Sequence, residues 1–307
     1  MRTPNEQSLQ PTPGRLDLGP SSLLWRWAGD LRIAFEGGTA GLLQTMHPAI
    51  GYALIEHSNF FDDPVDRVFR SLPGILGTVY DGPAADVTGI RVRDYHRQIK
   101  GTLPDGRRYH ALNPETYWWA HATFQNMVDR VAECWDKHCL SDAERDRLYL
   151  EGCEWYRRYG MSDLVLPRDR AAFGAEWDRY CEQVLEPNPA SDYLIKFINR
   201  TAIPDMSTSP YLPAPPRLKP IAKTVLPAWP VRAMLAPPMR LTIFGGLPPS
   251  VRERFGIAWT RTDERTYRFI RGAIRSGWPY VPAYFKWHAS ARRGWLRESG
   301  QLPRTFS

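Results

Sequence analysis

The chain has 307 residues, with 40 Lys and Arg against 33 Asp and Glu, a net charge of +7, and 43% hydrophobic residues. That length supports one large domain or two small ones, with a substantial core either way. The mild basic excess, read as spread along the chain without a Lys/Arg block, argues against nucleic-acid binding and is compatible with peripheral contact with an anionic membrane surface or an acidic cofactor.

Residues 1–20, rich in Pro, Gln, Thr and Ser, are expected to form a disordered leader. Ser21-Ser22 caps a helix running through Leu23, Trp27 and Leu31 toward Phe35, broken at Gly37-Gly38. Two small, apolar helical segments follow, hinged at His47-Pro48, with Pro48 as a first helical residue. Asp62-Asp63-Pro64 starts another helix, on which Arg67 and Arg70 share a face. Pro83 starts a helix expected to run to Lys100 and stop at Gly101, so that His96 and Lys100 project from one side.

After the turn Pro104-Asp105-Gly106 comes Asn113-Pro114-Glu115, a strong helix start with a capping Asn, Pro at the first position and an acid in the first turn. The helix it opens carries His121, flanked at helical spacing by Tyr117, Trp118, Phe124, Gln125 and Val128, an apolar face that predicts burial. Ser141 and Glu144 fit a capping box for a helix to about Tyr159, stopped by Gly160. Further helices are predicted over 170–185 and 192–200. Residues 204–230 read as a Pro-dense wrap or loop, and shorter helices are expected over 231–235, 249–254, 262–275 and 284–297. With no repeats and no convincing alternating strands, the fold class is all-α, a single multi-helix domain over 21–307.

Cys134, Cys139, Cys153 and Cys181 sit in helix-like sequence, which points to a reducing cytoplasm. Cys134, His138 and Cys139 lack a partner pair for zinc and read as packed thiols. No signal peptide and no run of membrane-spanning length is present.

Four groups of residues carry chemistry. His121 is either a core histidine bonded to a backbone carbonyl or an axial haem ligand, with Trp118 and Phe124 among the aromatic neighbours covering the macrocycle. No C-x-x-C-H occurs, so a haem would be held noncovalently. His96 and Lys100 are either part of a solvated basic face or a group opposite the cofactor, where an ammonium in an apolar pocket would have a lowered pKa. Arg67, Arg70 and Arg97 could pair with propionates through a guanidinium fork. His47 is either a second ligand or a cation at a helix C-terminus. Hydrolase, Walker and dinucleotide motifs are missing from the sequence.

The strings QTMHPAIGYALIEHSNFFDDPVDRVFRS and HRQIKGTLPDGRRYHALNPETYWWAHATF, in that order, resemble the family of the rubber oxygenase (latex clearing protein) catalytic domain and the fungal MpaB oxygenase. The later YGMSDLVLP and the Pro-rich stretch before LPAWPVR resemble it too, so the match spans about residues 25–300. The resemblance implies a helical fold binding haem b, with His121 as the proximal and metal-binding residue by motif position. Rubber oxygenase relatives use dioxygen to cleave an isoprenoid double bond, and MpaB-like relatives cleave a prenyl side chain. A distal lysine with a supporting arginine and threonine has its nearest counterparts here in Lys100, Arg97 and Thr102. The MpaB-type membrane anchor has no counterpart in this sequence. The expectation is a haem-dependent oxygenase acting with dioxygen on an apolar, isoprenoid or polyketide-like substrate, its electron donor unidentified. The alternatives are a haem carrier or sensor without turnover and a cofactor-free helical interaction protein.

Overall fold

Helix starts follow the capping chemistry. The computed structural model describes residues 15–62, 64–209 and 217–302, with the side chains of 64–69 set aside. Ser22 caps α1 (Leu23–Trp27), α2 spans Ala34–Thr45, and Pro48 opens α3 (Pro48–His57). Next come α4 (Pro64–Tyr80), α5 (Ala85–Asp94) and an antiparallel hairpin of β1 (Lys100–Thr102) and β2 (Arg108–His110). Asn113 caps α6 (Pro114–Arg130), and a capping box between Ser141 and Glu144 opens α7 (Asp142–Arg157). The chain continues through α8 (Arg170–Arg179), α9 (Pro189–Ile198), α10 (Lys219–Val225), α11 (Trp229–Gly246), α12 (Pro249–Arg254), α13 (Arg261–Gly277) and α14 (Ala289–Glu298). Wider turns over Val131–Trp135 and Tyr180–Val184 extend α6 and α8. The all-α reading holds, with the hairpin as the one sheet among the described residues.

The core lies between α2, α6 and α7, and Trp25, Trp27, Trp119, Trp135 and Trp155 are fully enclosed. Each such ring removes about 150–250 Å² from water, roughly 4–6 kcal/mol of gross transfer energy. One buried ion pair crosses this core. Glu36 on α2 accepts from Arg130 Nε at 2.7 Å and from Trp135 Nε1 at 2.6 Å, while Arg130 also donates to Tyr267 on α13 at 2.9 Å.

Several expectations need correction. Gly37-Gly38 lies inside α2 rather than ending it. A Cβ on Gly38 would stand 2.5 Å from Ile243, so the glycine serves a close crossing with α11. The helix expected to reach Lys100 stops at Asp94, and Lys100 starts a strand. That strand is held by distant partners: Tyr109 donates to Glu56, and the His57 ring donates to the Lys100 carbonyl at 3.0 Å. The Pro-dense stretch contains α10, and α11 runs through Pro237-Pro238 to Gly246 because its far half is fixed by burial of Leu241, Ile243 and Phe244. Of the expected leader, residues 1–14 lie outside the described residues; from Arg15 the chain is tied down, Arg15 pairing with Asp86 at 2.8 Å and with Glu154 while Leu18 is buried. Among the described residues, no helix is long and apolar enough to cross a membrane.

Candidate functional site

The site begins at a helix cap. Asn113 Oδ1 accepts from the backbone N–H groups of Glu115 and Thr116 at 3.0 and 3.2 Å, which fixes where α6 starts and therefore which residues face inward. His121 lies on that inward face at 5% exposure. Gln44 on α2 locks the helix at this level, donating to the Ala120 carbonyl at 3.1 Å and to Thr123 Oγ1 at 2.7 Å.

His121 Nε2 lies 3.0 Å from the carbonyl oxygen of Gly152 on α7. A carbonyl only accepts, so Nε2 carries the proton and Nδ1 keeps its lone pair. That Nδ1 is buried and has no hydrogen-bond partner. Burial lowers the imidazole to about 4, against a smaller upward pull from the Gly152 bond, so the ring is neutral at physiological pH.

Three rings from α7 and the residues just after it surround this imidazole edge-on: Trp155 at 5.0 Å, Tyr156 at 5.2 Å and Tyr159 at 5.9 Å between centroids. With Gly152 they form an i, i+3, i+4, i+7 row, one helical face. The Tyr156 hydroxyl is buried without a hydrogen-bond partner, and Trp155 Nε1 donates to Thr78 on α4 at 2.5 Å. Gln125, one turn beyond His121, donates to Asp129 at 2.7 Å, and burial raises that carboxyl to about 7 despite the bond. Of these partners the sequence singles out Gln125 alone, although the spacing of Gly152, Trp155, Tyr156 and Tyr159 is readable there.

The predicted site residues fall into separate places. Phe124 stacks on Trp155 at 6.3 Å and so joins the aromatic shell around His121. Trp118 and His47 meet elsewhere, around Tyr180, at 5.1 and 6.1 Å from its ring. His47 is likewise buried with an unpartnered Nδ1, and is held at about 4 by burial and by the nearby Arg107 charge. His96 lies at the edge of the aromatic shell, 5.9 Å from Tyr117, whose ring lies 5.5 Å from Tyr159. Its Nδ1 is 2.8 Å from the Val92 carbonyl. Arg97 is exposed and paired with Asp94 at 2.9 Å. Lys100 and Thr102 are exposed on β1, so the apolar pocket expected around the Lys100 ammonium does not exist in this fold, nor do His96 and Lys100 share a helix face. Arg70 is exposed on α4, and the side chain of Arg67 lies outside the described residues.

No group of three His, Cys, Asp or Glu side chains placed to hold a metal ion occurs among the described residues, Cys134, His138 and Cys139 included. Residues 25–276 match the family described as ER-bound oxygenase mpaB/B'/Rubber oxygenase, catalytic domain. The chain belongs to this oxygenase family. The match contains α2, α6 and α7 entire, and with them His121, Gly152 and the tyrosines around them. Among curated proteins, an uncharacterized protein of Mycobacterium bovis and an uncharacterized protein of Mycobacterium tuberculosis are each 22% identical over 248 residues, covering 78% of this chain and 87% of theirs. No solved structure matches significantly.

Proposed function

We propose that this oxygenase-family domain is a haem b-dependent oxygenase acting on an apolar substrate, with His121 as the residue that would hold the iron. The observation that carries the reading is the His121 imidazole itself: neutral, fully enclosed, its proton committed to the Gly152 carbonyl and its other nitrogen without a partner. Metal-ligating histidines characteristically donate their second N–H to a carbonyl or carboxylate in this way. Among the described residues His121 belongs to no group of three metal-ligating side chains, a donor set that suits an iron whose other ligands would come from a porphyrin. The donor chemistry of His121 fits that group, and because its Nδ1 is buried the surrounding rings must part to admit a macrocycle.

When bound, haem iron would supply the means of activating dioxygen. The chain's own residues do the rest. Gly152 fixes the tautomer and tilt of the imidazole. Trp155, Phe124, Tyr156 and Tyr159 keep water from the ring, and the Tyr156 hydroxyl offers an uncommitted donor inside that enclosure. Tyr117 packs between Tyr159 and the half-buried His96 at the outer side of this aromatic shell.

One observation favours a binding-only alternative. Arg97, Lys100 and Thr102, the residues expected to assist chemistry, lie at the surface away from His121. Oxygen uptake decides between the two: haem-loaded protein given a reductant and isoprenoid lipids consumes dioxygen if it is an oxygenase, and does not if it only carries or senses haem.

A further inference from the structure

Charge is divided unevenly along this chain. Up to Asp205 there are 23 Lys and Arg against 29 Asp and Glu; after it there are 17 against 4. The basic excess is thus not spread along the chain but carried entirely by its last third, and residues 206–252 contain no Asp or Glu. An asymmetry of this kind points to an anionic partner.

The same region leaves large apolar side chains in water. α10 and α11 close over a small core of Ile203, Leu226 and Ala236. Outside it stand Leu218, Ile221 (59% exposed) and Val225, spaced i, i+3, i+7 along one flank of α10. Trp229 (58%) follows at the turn into α11, and Met234 (70%) stands on α11 itself. Lys219 and Lys223, four residues apart, run along the other flank of α10, and Arg217 precedes it, its guanidinium 5.2 Å from the Tyr284 ring.

We infer that the α10–α11 face rests on an anionic lipid bilayer surface. A helix lying in the interface buries its apolar flank at the boundary between headgroups and acyl chains while its lysines extend to phosphates. Tryptophan suits that boundary because its ring is apolar and its N–H is polar. Nucleic acid would satisfy the cations but leave Ile221, Val225 and Met234 in water. A second copy of this face would set cation against cation. The inference does not depend on haem binding.

The test is co-sedimentation of the full chain with phosphatidylcholine vesicles, with and without phosphatidylglycerol. Binding is expected only with phosphatidylglycerol and is expected to weaken with added salt. Lys219→Glu with Lys223→Glu should weaken it about thirty-fold or more, since each basic residue near such a surface contributes ~1 kcal/mol and its reversal adds repulsion. Trp229→Ala should weaken it while leaving the salt dependence in place. Arg168→Glu with Arg108→Glu, an equal charge change at exposed positions elsewhere, should alter it little, and an unchanged melting temperature checks folding in every variant. The proposal is overturned if no vesicle sediments the protein, if the control pair weakens binding as much as the lysine pair, or if the face instead drives concentration-dependent self-association without lipid binding.

Discussion

The imidazole of His121 and the backbone carbonyl of Gly152, 31 residues apart in sequence, meet at 3.0 Å where α6 crosses α7. Residue 152 has no side chain, and a Cβ there would displace the buried Gln125 carboxamide. The glycine thus leaves room for Gln125 beside a backbone carbonyl that fixes the histidine's tautomer.

Gly152→Ala should therefore cost about 1–3 kcal/mol, the usual range for overpacking a closed core. Urea denaturation of the variant measures it. A shift below a few tenths of a kcal/mol would mean that the Gln125 carboxamide gives way without resistance and that its place does not depend on the glycine.

The His121 ring should also make stability depend on pH. Its folded pKa is lowered to about 4 from an ordinary 6.5, so between those values the unfolded chain binds the extra proton. This contribution is complete above pH 6.5 and is lost as pH falls toward 4, by about 3 kcal/mol at most. His47 and His288 are lowered to about 4 as well and act in the same direction, whereas Asp129, raised to about 7, opposes them by weakening the fold as pH rises from 4 to 7. Comparing wild type with His121→Phe isolates the one ring: the stability difference should change between pH 6.5 and 4 and stay constant above. A constant difference throughout would contradict a buried neutral imidazole.

How much of this was legible beforehand depended on whether the deciding contact was local. Asn113-Pro114 and Ser141 with Glu144 announce their helices because a cap is made within a few residues. The burial of His121, and even its bond to some carbonyl, follows from its aromatic face. Which carbonyl does not, because the register between α6 and α7 is set by packing. Gly37-Gly38 and Pro237-Pro238 mislead for the same reason. Local rules read them as stops, but a crossing against Ile243 and the burial of Leu241 and Phe244 carry the helices through. Local sequence puts Lys100 on a helix because nothing nearby says that Glu56 and His57 pull its segment into a hairpin.

Breaking the buried pair at the centre should be severe. Glu36→Ala leaves the Arg130 guanidinium largely enclosed without its carboxylate, a change that typically costs about 3–5 kcal/mol. Glu36→Gln keeps an acceptor for Trp135 and should cost less. Equilibrium unfolding of both variants tests the order, and equal losses would show that the charge contributes nothing beyond the hydrogen bonds.

Gln44→Ala removes two bonds to α6 beside His121 and should cost about 1–3 kcal/mol. Because Gln44 does not touch the imidazole, haem affinity in the variant should fall by less than in His121→Ala, a ranking that titration with haem reads directly.

The most direct measurement is the visible spectrum of the protein expressed with ample haem precursor, alongside His121→Ala. The account predicts a Soret band in wild type that is lost in the variant while its circular dichroism stays helical. Wild type without a Soret band, or a variant with the same band, would contradict it.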